Sequence, residues 1–218
     1  MIRAVVSNEM FTILLMVGLV FVALAKVLHA KRFDNFVYLP GNSKYLLIHT
    51  RDQKFFDRFD ALLFVNLIIS TSIFICICFE VFNGSLDYSL DFMLKLLIAV
   101  TSFILIKVLI ERLLGSIFDM DPIIDNYLFQ KTSYKNYFGL LLIPINALFI
   151  YTFEPNKTVI FSVFGVFFIL ILMGLVVSFK VHQNALRQNM FYFILYLCAL
   201  EIAPYIILIK LLQVFTVI

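Results

Sequence analysis

The sequence predicts an all-α, polytopic membrane protein that crosses the bilayer about six times, and three observations predict it. Of its residues, 63% are hydrophobic and 14% charged, against roughly 45–50% and about 25% in an ordinary soluble domain. A dissolved chain needs a polar surface, and this composition leaves too little polar material to build one. The apolar residues gather into six runs near the length a spanning helix needs, about 20 residues at ~1.5 Å each across a ~30 Å hydrocarbon core. The positive charges between the runs alternate in density from one connection to the next, as an oriented bundle requires.

The runs are residues 10–28, 61–79, 92–110, 137–153, 159–179 and 191–214, and they make a single transmembrane domain of residues 1–218. The first does not read as a cleavable secretory signal: it is too long, and its basic residues follow it rather than precede it. The fourth is the shortest and contains Pro144, while the sixth contains Pro204. These prolines are the predicted helix-break positions, tolerated at depth where neighbours satisfy the freed carbonyl.

Orientation follows from Lys and Arg. The connection at residues 29–60 carries Lys31, Arg32, Lys44, Arg51, Lys54 and Arg58. Residues 111–136 carry Arg112, Lys131 and Lys135, and residues 180–190 carry Lys180 and Arg187. The other side has only Arg3 and Lys157. These three connections are therefore expected in the cytoplasm and both termini outside, with the apolar runs in contact with lipid. The net charge of +3 gives no reason to expect nucleic acid.

Two short amphipathic interfacial helices are expected on the cytoplasmic side. Thr50 and Gln53 form a capping-box pattern that predicts a helix starting at Arg51 and running through Phe55, Phe56 and Phe59 into the second span. Asp121-Pro122 reads as a cap followed by proline at the first helical position. Beyond it Ile123, Ile124, Tyr127 and Leu128 fall on one face, and Asp125, Asn126 and Gln130 on the other. Phe55, Phe56, Phe59, Ile123, Ile124 and Tyr127 are thus the residues expected to touch the membrane surface or a partner.

Ionisable groups at bilayer depth cost about 2.5–3.5 kcal/mol or more and need a reason. Lys26, Lys95 and Lys210 reach an interface by snorkelling. Lys107 is placed to pair with Glu111 four residues on. Glu201 lies about ten residues into the sixth span, ~16 Å deep, with no basic residue three or four positions later. Asn146 is at a similar depth, and Asn66 is somewhat nearer the cytoplasm. The expectation is a polar cluster of Glu201 and Asn146 with Lys107 or Asn66, serving as glue between helices, as a contact to a charged partner, or as an ion or proton site.

Catalytic chemistry finds no footing. The three histidines, His29, His49 and His182, lie in separate connections, so neither a zinc-peptidase pair nor haem ligation at depth is available. No phosphate-cradling glycine loop and no pair of buried aspartates occurs. Cys76, Cys78 and Cys198 fall in apolar runs and read as small fillers. No metal and no cofactor is expected.

The stretch Phe191-Tyr192-Phe193-Ile194-Leu195-Tyr196-Leu197-Cys198-Ala199-Leu200-Glu201-Ile202-Ala203-Pro204 resembles the C-terminal signature of a Bacteroidota membrane family, domain of unknown function 4271. Val6-Ser7-Asn8-Glu9-Met10-Phe11, Lys31-Arg32-Phe33 and Leu140-Leu141-Leu142-Ile143-Pro144 fit the same pattern. The resemblance implies a polytopic inner-membrane protein and puts Glu201 and Pro204 in the family's most recognisable motif. It suggests an envelope machine such as type IX secretion or gliding. The expected function is a non-enzymatic subunit or scaffold docking to other envelope proteins; the alternative is a small ion- or proton-coupled transporter using Glu201.

Overall fold

The computed structural model describes residues 9–39, 57–84, 90–117 and 121–186, and over them the chain is helical. Six helices follow in order: α1 (Glu9–Leu28), α2 (Ala30–Val37), α3 (Arg58–Asn83), α4 (Leu90–Ile117), α5 (Asp121–Tyr151) and α6 (Lys157–Leu186). Three are long and apolar enough to cross a membrane: Glu9–Leu28, Arg58–Phe82 and Leu90–Ile117, with Lys157–Ile171 a shorter apolar stretch. The predicted sixth span, with Glu201 and Pro204, lies outside the described residues.

The centre of the bundle is the pair α3 and α5, and these run parallel. The Asn136 side chain donates to the Asp60 carbonyl and that of Asn146 to the Ser70 carbonyl, so both helices advance together. Between these bonds Gly139 lies against the Leu67 backbone: a Cβ added there would sit 2.7 Å from the Leu67 Cα. With no side chain in the way, the two backbones meet.

The other long helices run antiparallel to this pair. Ala25 of α1 packs beside Leu63, and Phe11 and Leu15 pack beside Ile73 and Cys76. On α4, the Cys76 thiol reaches the Met93 sulfur at 3.1 Å, while Gly115 admits Ile124 of α5 at the opposite end. On α6, Phe161 meets Phe82 and Phe167 meets both Phe74 and Phe138. Direction therefore reverses at each of the four connections joining the five long helices.

The faces turned away from the centre are apolar. On α1 they carry Ile13, Met16, Val20, Leu24 and Val27, and on α4 Leu94, Ile98, Ile106, Leu109, Leu113 and Ile117, all exposed. On that same α4 the ionisable Lys107 and Glu111 are buried. Charges within and hydrocarbon without is the arrangement acyl chains solvate and water does not. This is a membrane protein.

The boundaries correct several expectations. Residues 111–136 do not hold a separate short helix: α4 continues to Ile117, and α5 runs from Asp121 to Tyr151 as one helix. The expected Asp121-Pro122 start is observed, but the helix then continues because its buried face has α3 and α4 to cover it. Similarly, α6 extends through the expected connection as far as Leu186. The helix into the second span begins at Arg58, not Arg51. Asp57 is extended (φ −96°, ψ 158°) and accepts from the Arg58 amide, which makes it the cap. Thr50, Arg51, Gln53, Phe55 and Phe56 lie outside the described residues. Pro144 does not break α5; its exposed ring interrupts neither the helix before it nor the turns to Tyr151. At the far end of α3, Gly84 has φ 89° and its amide bonds the Glu80 carbonyl, a closing geometry suited to glycine.

Candidate functional site

The chemistry-bearing side chains of the described residues gather in three layers between the central helices. The first lies where α2 meets the start of α3. Helix α2 has eight residues and buries Phe33 and Phe36, and that packing sets the intervening Arg32 over the α3 N-terminus. The Arg32 guanidinium donates to Asp57 at 2.5 Å and to Asp60 at 2.9 Å, with its carbon 4.6 Å from the centre of the Phe59 ring. Two carboxylates three residues apart on one helix face are spaced to receive the two arms of a planar fork. Phe59 is fully buried, edge-on to Phe36 and His29. It is part of the chain's own core rather than a surface offered to a partner.

Asp57 is the more exposed of the two carboxylates. Burial alone pushes its carboxyl up, but the Arg58 amide and the Arg32 guanidinium outweigh that and hold it below the ordinary value. A lowered carboxyl stabilises the fold above its unfolded pKa and loses that contribution as pH falls through the folded value. The Asp57 arm of the clamp is thus expected to persist through neutral pH and fail only in acid. A Asp57→Asn variant should flatten the acid limb of a stability-against-pH curve.

The second layer joins α4 to α5. Lys131 donates to Glu111 at 2.6 Å and also lies 5.4 Å from the Tyr127 ring centre. Glu111, which sequence spacing offers to Lys107 on its own helix, is reached from α5 by Lys131 across the interface. Nearby Ile124 and Tyr127 are buried within the molecule, as are Leu128 and Gln130. Gln130, on the polar face by its spacing, is buried with the apolar face.

The third layer is made of amides. Asn66, Ser70 and Asn146 are buried; the Ser70 hydroxyl donates to the Asn66 amide oxygen at 3.3 Å, and the Asn146 amide to the Ser70 carbonyl at 2.8 Å. Ser70 thus links Asn66 to Asn146, two of the residues expected in the polar cluster, while Glu201 lies outside the described residues. The structure does not bring Lys107 to them. Lys107 is one helical turn from Glu111, and Glu111 meets Lys131, fifteen residues or ~22 Å along α5 from Asn146. The clamp and the Glu111–Lys131 bridge escaped the sequence reading, which counted Arg32 and Lys131 only as topological charges. The Asp57-x-x-Asp60 spacing was the available signal for the clamp.

What these layers can do chemically is join helices. Asn146→Leu is expected to lower stability by about 0.6 kcal/mol, up to ~1.7, the range of interhelical hydrogen bonds in membranes; denaturant titration in detergent checks it. Among the described residues no group of three or more His, Cys, Asp and Glu side chains is placed to hold a metal.

A family model described as domain of unknown function, DUF4271, matches residues 11–212. No curated protein and no solved structure matches the chain.

Proposed function

Since the chain belongs to the DUF4271 family, a domain of unknown function, we propose that it is a non-enzymatic subunit or scaffold of a bacterial inner membrane, docking to other envelope proteins. In this reading it crosses six times with both termini outside, and the sixth crossing is residues 191–214. The alternating directions of α1, α3, α4, α5 and α6 support five of the six. The single observation that carries the scaffold role is the use made of the polar groups between the helices. Arg32, Asp60, Lys131, Glu111, Asn136 and Asn146 all bond across helix boundaries, and Gly139 locks α3 to α5 between the layers. A rigid, internally cross-linked bundle holds a position in an assembly; a transporter needs helices that part and close again. The family resemblance suggests a secretion or gliding machine of the type IX kind as the assembly.

The deciding experiment is purification of the tagged chain in mild detergent. The proposal expects a stoichiometric companion protein, and its repeated absence counts against the scaffold. Orientation has its own check: a reporter placed in the connector around Gly84 is expected outside the cytoplasm.

The competing reading is an ion- or proton-coupled transporter using Glu201. It draws on two buried atoms without hydrogen-bond partners among the described residues, the Asn66 amide nitrogen and the Asn146 amide oxygen. It expects Glu201→Gln to abolish a flux in liposomes while the protein still folds.

A further inference from the structure

Between α3, α4 and α5 lies a partly open cleft of about 140 Å³. Phe64 and Leu67 wall it from α3, Ile104 and Val108 from α4, and Thr132 and Lys135 from α5. Leu105, an exposed residue, stands on its rim, so the opening is toward the apolar outer face of α4. Among the described residues, Lys135 supplies the one charge of the lining. It directly precedes the fourth span, so with the orientation proposed above the cleft faces the inner leaflet at its headgroup boundary.

We propose that this cleft binds one acyl chain of an anionic phospholipid, whose phosphate is held by Lys135 and Thr132. Size, polarity and position each favour this occupant. A cavity of this volume, dry on most of its wall, takes a few methylenes and gives water too few polar partners. Its open side faces hydrocarbon, so a lipid tail is the neighbour already present. The bilayer is as apolar as the cleft, and insertion of a tail therefore confers fit without discrimination. Discrimination comes from the headgroup, because a lysine at the inner boundary between helices favours a net negative charge over a zwitterion. One lysine near a membrane surface corresponds to a preference of about fivefold. The inference stands whether or not the chain has protein partners; it rests on the embedding and orientation given above.

The test is native mass spectrometry of the full chain released from mild detergent containing equal amounts of phosphatidylglycerol and phosphatidylcholine. The expected result is one retained phosphatidylglycerol per chain, about fivefold over phosphatidylcholine. Lys135→Gln is expected to equalise the two lipids. Val108→Phe, which fills the cleft, is expected to reduce retention of both; Leu105→Trp serves where the Val108 substitution impairs folding. Equal retention by the unaltered chain, or an unchanged preference in Lys135→Gln, overturns the proposal. So does displacement of phosphatidylglycerol by an equal concentration of inorganic phosphate, which would mark a simple anion site. Extraction of the chain from vesicles by alkaline carbonate would refute embedding itself, whereas loss of lipid preference in a chain that stays embedded refutes the cleft alone.

Discussion

Arg32→Ala is expected to destabilise the protein by about 3–5 kcal/mol, the range found when one partner of a buried ion pair is removed. The reason is what remains behind. Asp60 has a side chain only 5% exposed, and its Oδ1 has no hydrogen-bond partner among the described residues. Without Arg32, its Oδ2 also loses its cation, and a buried carboxyl is left with neither oxygen satisfied. Arg32→Lys should recover little, because a lysine is a point charge and cannot engage two carboxylates while stacking on Phe59. The informative variant is the double one. Arg32→Met with Asp60→Leu replaces the pair by apolar groups and should recover most of the loss. A denaturation series in detergent reads all of these. If the double variant is as unstable as the sum of the single losses, the clamp is not the coupled unit described here.

The second large effect is expected at Gly139. A methyl group there would stand 2.7 Å from the Leu67 Cα, 2.9 Å from its Cβ and 3.1 Å from its amide nitrogen. Two of those atoms are backbone, so no rotamer change relieves the overlap, and α3 and α5 must move apart. Overpacking usually costs about 1–3 kcal/mol and sometimes more. Gly139→Ala should fall at the upper part of that range, and Gly139→Val beyond it. Separation also stretches the bonds on either side, Asn136 to the Asp60 carbonyl and Asn146 to the Ser70 carbonyl. The matched control is Gly165→Ala on α6, where an added Cβ meets nothing within 4 Å among the described residues. It should be neutral or slightly stabilising, since alanine is the better helix former. Equal behaviour of the two alanine variants in thermal unfolding would remove the basis for a backbone contact between α3 and α5.

The two variants probe features of different legibility. Gly139 stands in the sequence as an ordinary glycine near the start of an apolar run, and nothing within α5 tells which neighbour approaches it. The Arg32 clamp was partly readable, since two aspartates at i and i+3 by a helix start invite a fork. Its arginine, however, comes from a helix twenty-five residues earlier, and that pairing depends on how α2 docks. Asn66 and Asn146 were grouped by approximate depth, because polar groups in hydrocarbon have few other partners, but Ser70, which links them, carried no signal of its own. Ile124 and Tyr127 show the reverse. Their stripe was plain, but a stripe specifies that a face is covered and not what covers it. In the fold their own molecule covers them.

The sequence by itself determined that this is a helical membrane protein, because the number and length of apolar runs are local properties of the chain. It also determined where several helices lie, since periodicity and caps act within a few residues. The tertiary structure decided which helices are central, where α4 and α5 end, and which charge meets which. Those outcomes depend on close approach between segments dozens of residues apart. Lys131 reaches Glu111, and Gly139 meets Leu67, only once the helices have packed.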